Sequence, residues 1–201
     1  MLSGCGSASV HELPPAAEPP RAPAPAVAPA GRVVSFSPLP QGIVATQPGG
    51  AETAQGGRAL AVLSVRERVL ELYAAGTQRR TGTAPAGVGP THVACMAAWC
   101  WVTDTRGGAL LVFSTRPKLE PTRRLYLPGG PYGIALDERR RRLFVTLPAR
   151  NELVELPAHG RPHVLRRWPT VRQPGSVAVD PASGRVFVTG SAGDELQILR
   201  P

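Results

Sequence analysis

Cys95 and Cys100 bracket the four residues Met96-Ala97-Ala98-Trp99, a spacing that suits the two flanks of a tight hairpin. Cross-strand neighbours in an antiparallel hairpin approach to roughly 4.5 to 5.5 Å at Cα, within the span of a disulfide. In an oxidising compartment the pair is a disulfide candidate, and in a reducing one it is two buried thiols. A metal reading would add His92, but no fourth ligand of suitable type lies nearby in the sequence and the spacing fits no zinc pattern, so no metal is assigned. A second group consists of Gln41, His92, Tyr132 and Ser176, polar residues that follow Pro40, Pro90, Pro131 and Pro174 within one or two positions. Brought around one axis they would line a ligand cup; the plainer reading is that they satisfy neighbouring backbone groups. No pair of carboxylates, no Ser-His-Asp order and no Gly-x-Ser-x-Gly elbow accompanies them. No catalytic residue and no cofactor is assigned.

What would bring those prolines to one axis is a repeat. Pro40-Gln41-Gly42-Ile43-Val44-Ala45, Pro90-Thr91-His92-Val93-Ala94, Pro131-Tyr132-Gly133-Ile134-Ala135 and Pro174-Gly175-Ser176-Val177-Ala178 share one pattern at spacings of 50, 41 and 43 residues. Downstream lie Trp101-Val102-Thr103, Phe144-Val145-Thr146 and Phe187-Val188-Thr189, whose valines are 43 residues apart. A third apolar stretch closes each unit: Val69-Leu70-Glu71-Leu72, Leu110-Leu111-Val112-Phe113, Glu152-Leu153-Val154-Glu155-Leu156 and Glu195-Leu196-Gln197-Ile198-Leu199. Each reads as a strand by alternation or β-branched content, and clusters such as Arg106-Gly107-Gly108 and Asp180-Pro181-Ala182-Ser183-Gly184 read as turns. With 22 Gly and 23 Pro in 201 residues, amphipathic helical repeats of this length are excluded.

A unit of about 43 residues made of short antiparallel strands is the period of a propeller blade. Phe144-Val145-Thr146 and Phe187-Val188-Thr189 resemble the Tyr-Val-Thr-Asn motif of the YVTN propeller family, and Pro131-Tyr132-Gly133-Ile134-Ala135-Leu136-Asp137 resembles the start of an NHL-type blade. The family's terminal Asn is Asp104, Leu147 or Gly190 here. The expected fold is all-β, a β-propeller of about four blades over residues 32–201, or part of a larger propeller. Arg32-Val33-Val34-Ser35-Phe36-Ser37 is expected as a strand that closes the last blade and removes its exposed edge. If the ring is incomplete, two half rings would join as a homodimer.

Residues 1–31 differ in composition. Residues 7–31 hold seven Pro, eight Ala and three charges, too little apolar surface to offset chain entropy, so a disordered tether is expected. Ahead of it, Met1-Leu2-Ser3-Gly4-Cys5 resembles the lipobox of bacterial lipoproteins. That resemblance implies a lipid on Cys5, attachment at the outer, extracytoplasmic face of the bacterial cell membrane, and a signal peptide whose basic and apolar regions lie upstream of Met1.

The net charge is +9, carried by arginine except for Lys118. Arg139-Arg140-Arg141-Arg142 fills an expected hairpin tip without interleaved aromatics, so it reads as a solvated turn and no nucleic-acid partner is expected. Trp99, Trp101 and Trp168 are expected to pack between blades. The functional expectation is a lipid-anchored binding or protein-interaction module without catalysis, its partner a protein or cell-envelope ligand. The alternative is a propeller enzyme of the lyase or lactonase type holding a divalent metal in the central channel, which the NHL resemblance implies.

Overall fold

Each repeat folds into one antiparallel sheet, because its strands are short and joined by turns that return the chain at once to its neighbour. The computed structural model describes residues 59–192 and 195–201, with the backbone alone of 40–46. Blade 1 contains β1 (Pro40–Thr46), β2 (Ala59–Ser64), β3 (Val69–Ala74) and β4 (Arg80–Pro85). Blade 2 contains β5 (Pro90–Met96), β6 (Trp99–Asp104), β7 (Ala109–Ser114) and β8 (Glu120–Tyr126). Blade 3 contains β9 (Ile134–Asp137), β10 (Arg142–Leu147), β11 (Glu152–Pro157) and β12 (Arg166–Pro169), with a 3-10 turn at Pro148–Arg150. Blade 4 contains β13 (Pro174–Val179), β14 (Val186–Gly190) and β15 (Leu196–Leu199). The strand expected at Arg32–Ser37, the tail 1–31 and Cys5 lie outside the described residues. Among those residues no helix is long and apolar enough to cross a membrane.

The register confirms the repeat residue by residue. Val102 pairs with Val93 and Leu111, Val145 with Ile134 and Val154, and Val188 with Val177 and Gln197. Because strand side chains alternate, each blade presents one set backward and the next set forward. Forward residues Ala61, Leu63, Leu70 and Leu72 of blade 1 meet Val102 and Phe113 of blade 2. Trp101, Leu110 and Val112 meet Val145 and Val154 of blade 3, and Phe144 and Leu153 meet Val186 and Val188 of blade 4. At roughly 1.5 to 3 kcal/mol per fully buried large aliphatic or aromatic side chain, these three seams hold the blades in order.

The inner strands lie side by side in sequence, β1 by β5, β5 by β9 and β9 by β13, but β13 makes no comparable approach to β1. The described blades therefore form an arc with two ends. At the first end the backward face of blade 1 is covered, Val62 and Glu71 each being 1% exposed. At the other, Leu196 and Ile198 on the forward face of blade 4 are 58% and 54% exposed.

Candidate functional site: the polar ends of the inner strands

Each of β1, β5 and β13 starts with a bulge immediately after its proline, where the pairing register shifts between Pro40 and Gly42, Pro90 and His92, and Pro174 and Ser176. A bulge leaves one residue outside the ladder and re-aims its neighbours, which suits side chains that must leave the sheet plane. The proline costs no ladder bond at a strand start, since it has no N–H to offer.

The structure brings together two of the four expected cup residues. His92 and Tyr132 meet across the seam between blades 2 and 3, ring centroids 4.8 Å apart at 71°, an edge-to-face contact. His92 Nδ1 lies 3.1 Å from the Tyr132 carbonyl oxygen. A carbonyl only accepts, so Nδ1 carries the proton and Nε2 keeps its lone pair. Burial pushes the His92 pKa below its ordinary 6.5, and the bond to the Tyr132 carbonyl opposes that shift in part. Ser176 is exposed, and the side chain of Gln41 lies outside the described residues.

Three threonines complete the cluster, none of them singled out by sequence reading. Thr103 Oγ1 donates to the Tyr132 carbonyl at 2.8 Å and accepts the His92 N–H at 3.1 Å. Thr105 Oγ1 donates to the Pro131 carbonyl at 2.7 Å. Thr91 Oγ1 lies 2.7 Å from Thr105 Oγ1 and 3.0 Å from Thr103 Oγ1. Each hydroxyl owns one proton, and the protons of Thr103 and Thr105 are already directed at blade 3. The cluster is thus a latch in which blade 2 grips the two carbonyls that begin the inner strand of blade 3. The signal for it was in the repeated Val-Thr pair: Thr146 repeats the half of the role made within its own blade, accepting the buried Gly133 N–H at 2.8 Å.

Asp104, next to this cluster in sequence, is equally committed. Its Oδ1 accepts the N–H groups of Val88, Gly89 and Gly107 at 3.1, 2.8 and 3.1 Å, stapling two loops. Gly107 is required there, because a Cβ would fall 1.9 Å from Asp104 Oδ2. Among the described residues no group of three or more His, Cys, Asp or Glu is placed to hold a metal ion.

At the opposite end of blade 2, Cys95 and Cys100 are register partners of β5 and β6 and are joined as a disulfide, with Cα atoms 4.1 Å apart. Both are buried in the seam between blades 1 and 2. Ala97 takes positive φ in the turn they close. Of the tryptophans, Trp101 is buried between blades 2 and 3, Trp168 packs partly into the next seam beneath the Arg166 guanidinium, and Trp99 is 37% exposed. The Arg139–Arg142 turn is more than a solvated tip: Arg140 pairs with buried Asp137 at 3.0 Å and Arg142 with Glu155 at 3.1 Å.

Solved structures share the blade architecture. The β-propeller domain of Cps50 (Swd1) from Myceliophteria thermophila superposes with a TM-score of 0.62 at 13% identity, covering 81% of this chain and 53% of that one. Hydrazine synthase of Kuenenia stuttgartiensis superposes at 0.65 with 16% identity, covering 87% and 53%. The chain folds as a β-propeller. A functionally unknown protein from Desulfotomaculum acetoxidans superposes at 0.67 with 13% identity, covering 80% and 51%. This propeller chain spans about half the length of those structures. No family model matches it, and no curated protein is similar to it in sequence. At such identities the likeness carries the fold alone, since propellers host unrelated functions.

Proposed function

We propose that the protein is a lipid-anchored, extracytoplasmic β-propeller that serves as a binding or assembly module and performs no catalysis of its own. The observation that carries this reading is the bare forward face of blade 4. Phe187 there, half-buried, occupies the position that Trp101 and Phe144 hold in blades 2 and 3, where both are buried against a following blade. On the same face Leu196 and Ile198 are more than half exposed. An apolar sheet face of this kind is a surface for a partner. The polar groups near the axis are engaged in holding blades together, which fits a scaffold. Export is supported by the lipobox-like Met1–Cys5, by the Pro/Ala-rich spacer after it and by the Cys95–Cys100 disulfide, a bond favoured in oxidising compartments.

Two measurements test the reading. Expressed in its own host, the wild-type protein should sediment with membranes and Cys5→Ala should remain soluble; recovery of the wild type in the cytosol overturns the anchoring. A photo-crosslinker placed at position 196 should give a discrete adduct in intact cells, and its absence overturns the binding role of the blade 4 face.

A further inference from the structure

The seam between blades 3 and 4 breaks the pattern of the seam before it. Between blades 2 and 3, the outermost pair of the inner hairpin is Met96 with Trp99, and the forward pair two residues further in is Trp101 with Val112. Trp101 and Val112 are each 3% exposed and close that seam with apolar surface. In blade 3 the same register positions are Asp137 with Arg142, and Phe144 with Glu155. A charged layer stands where the preceding blade packs apolar side chains, and a cleft of about 530 Å³ opens between the blades. That volume is within the range of small-ligand sites.

Four guanidinium groups line this cleft, those of Arg140, Arg142, Arg185 and Arg200, against the side-chain carboxylates of Asp137 and Glu155 and the α-carboxylate of Pro201. The side-chain carboxylates are spent: Asp137 takes Arg140 at 3.0 Å, and Glu155 takes Arg142 Nε at 3.1 Å. Arg140 also reaches the Pro181 and Ala182 carbonyls of blade 4, at 3.4 and 3.5 Å, and so spans the cleft. Arg185, the register counterpart of Arg142 one blade on, and Arg200 have guanidinium groups that form no ion pair among the described residues. Neither guanidinium is in contact with a carboxylate of the described residues, although the Arg185 charge also acts on Asp180 in the adjoining turn. Like charges gathered along one cleft repel, and an anion between them relieves that repulsion. The planar fork of a guanidinium suits the tetrahedral oxygens of a phosphate group.

We propose that the cleft between blades 3 and 4 is a binding site for a doubly charged phosphate group, held by Arg185, Arg200 and the terminal nitrogens of Arg142. The phosphate belongs either to a small soluble molecule or to a lipid headgroup, and the chemistry of recognition is the same for both. The test titrates the full chain calorimetrically with inorganic pyrophosphate. A saturable isotherm is expected, weakened about tenfold by Arg185→Gln or Arg200→Gln alone, as loss of one charge-assisted pair implies. Both variants should shift the melting temperature little, since both side chains are exposed and neither forms a contact ion pair among the described residues. Absence of saturable binding up to about 10 mM, or unchanged affinity in the double variant, overturns the proposal. Sedimentation of the Cys5→Ala protein with vesicles containing phosphatidic acid, whose headgroup is a phosphomonoester able to carry two charges, supplies the second arm. Vesicle binding lost in the double variant assigns the phosphate to a headgroup, and pyrophosphate binding without vesicle binding assigns it to a soluble molecule.

Discussion

The Thr103 hydroxyl of blade 2 donates to the Tyr132 carbonyl of blade 3 at 2.8 Å, and so one blade's strand carries the next blade's start. Thr189, at the same register in blade 4, is exposed. This pair of threonines separates latch from motif. Thr103→Val leaves the Tyr132 carbonyl and the His92 N–H without that partner at a fully buried site, and should lower the unfolding free energy by about 1 to 3 kcal/mol. Thr189→Val should change it by less than about 0.5 kcal/mol. Urea titration of both variants checks the contrast; equal losses would contradict the latch.

Gly133 makes the same point sterically. A Cβ there would sit 2.6 Å from the Gly175 carbonyl oxygen and 3.1 Å from Thr146 Oγ1, where blade 3 approaches blade 4. The obstacle on one side is backbone, so Gly133→Ala should destabilise by about 1 to 3 kcal/mol. Gly76, with nothing within 4 Å, should accept alanine at little cost. Thermal melts of the two variants make the comparison.

His92 gives stability a pH dependence of definite sign. Its folded pKa lies below 6.5 because burial disfavours the imidazolium, so the unfolded chain binds the proton more tightly. The contribution is complete above pH 6.5 and is lost as the pH falls through the depressed folded value. Unfolding free energy measured from pH 7.5 to 5 should therefore decline less steeply in His92→Gln than in the wild type. Identical slopes would show that His92 is not buried as neutral imidazole.

The Cys95–Cys100 disulfide closes a short loop, the paired residues being separated by 5 in sequence. For a loop of that size the chain-entropy model gives about 2 kcal/mol. Reduction by a phosphine should lower the melting temperature, and Cys95→Ser with Cys100→Ser should reproduce the loss and abolish the response to reductant.

The repeat and its strands were legible because burial on both faces forces a strong signal. Val102, Val145 and Val188 are each fully buried, and strands enclosed by neighbouring blades must be apolar throughout, which shows as a 43-residue period. The outer strands β4, β8 and β12 were not legible. Arg80, Arg123, Arg124, Arg166 and Arg167 on them are exposed, so no pattern of burial is written into their sequence, and they exist because the inner strands offer an edge. Of the expected cup, the proline spacing located His92 and Tyr132 near each other, but in blade 2 the bulge after Pro90 decides which side chain turns toward the next blade. That choice belongs to backbone geometry, not residue type.

Composition and spacing by themselves determined that this chain is a set of β modules of one length, with Cys95 opposite Cys100. Only the tertiary structure decided that the described blades form an arc covered at one end and bare at the other, and that Thr103, Thr105 and Thr91 bind His92 and Tyr132 into a latch. It also decided that Arg140, Arg142, Arg185 and Arg200, up to 60 residues apart, border one cleft. The division has a physical cause. Pairing within a blade is local and dictated by alternation and turns, whereas the seams depend on how whole sheets twist and approach, which no short stretch of sequence encodes.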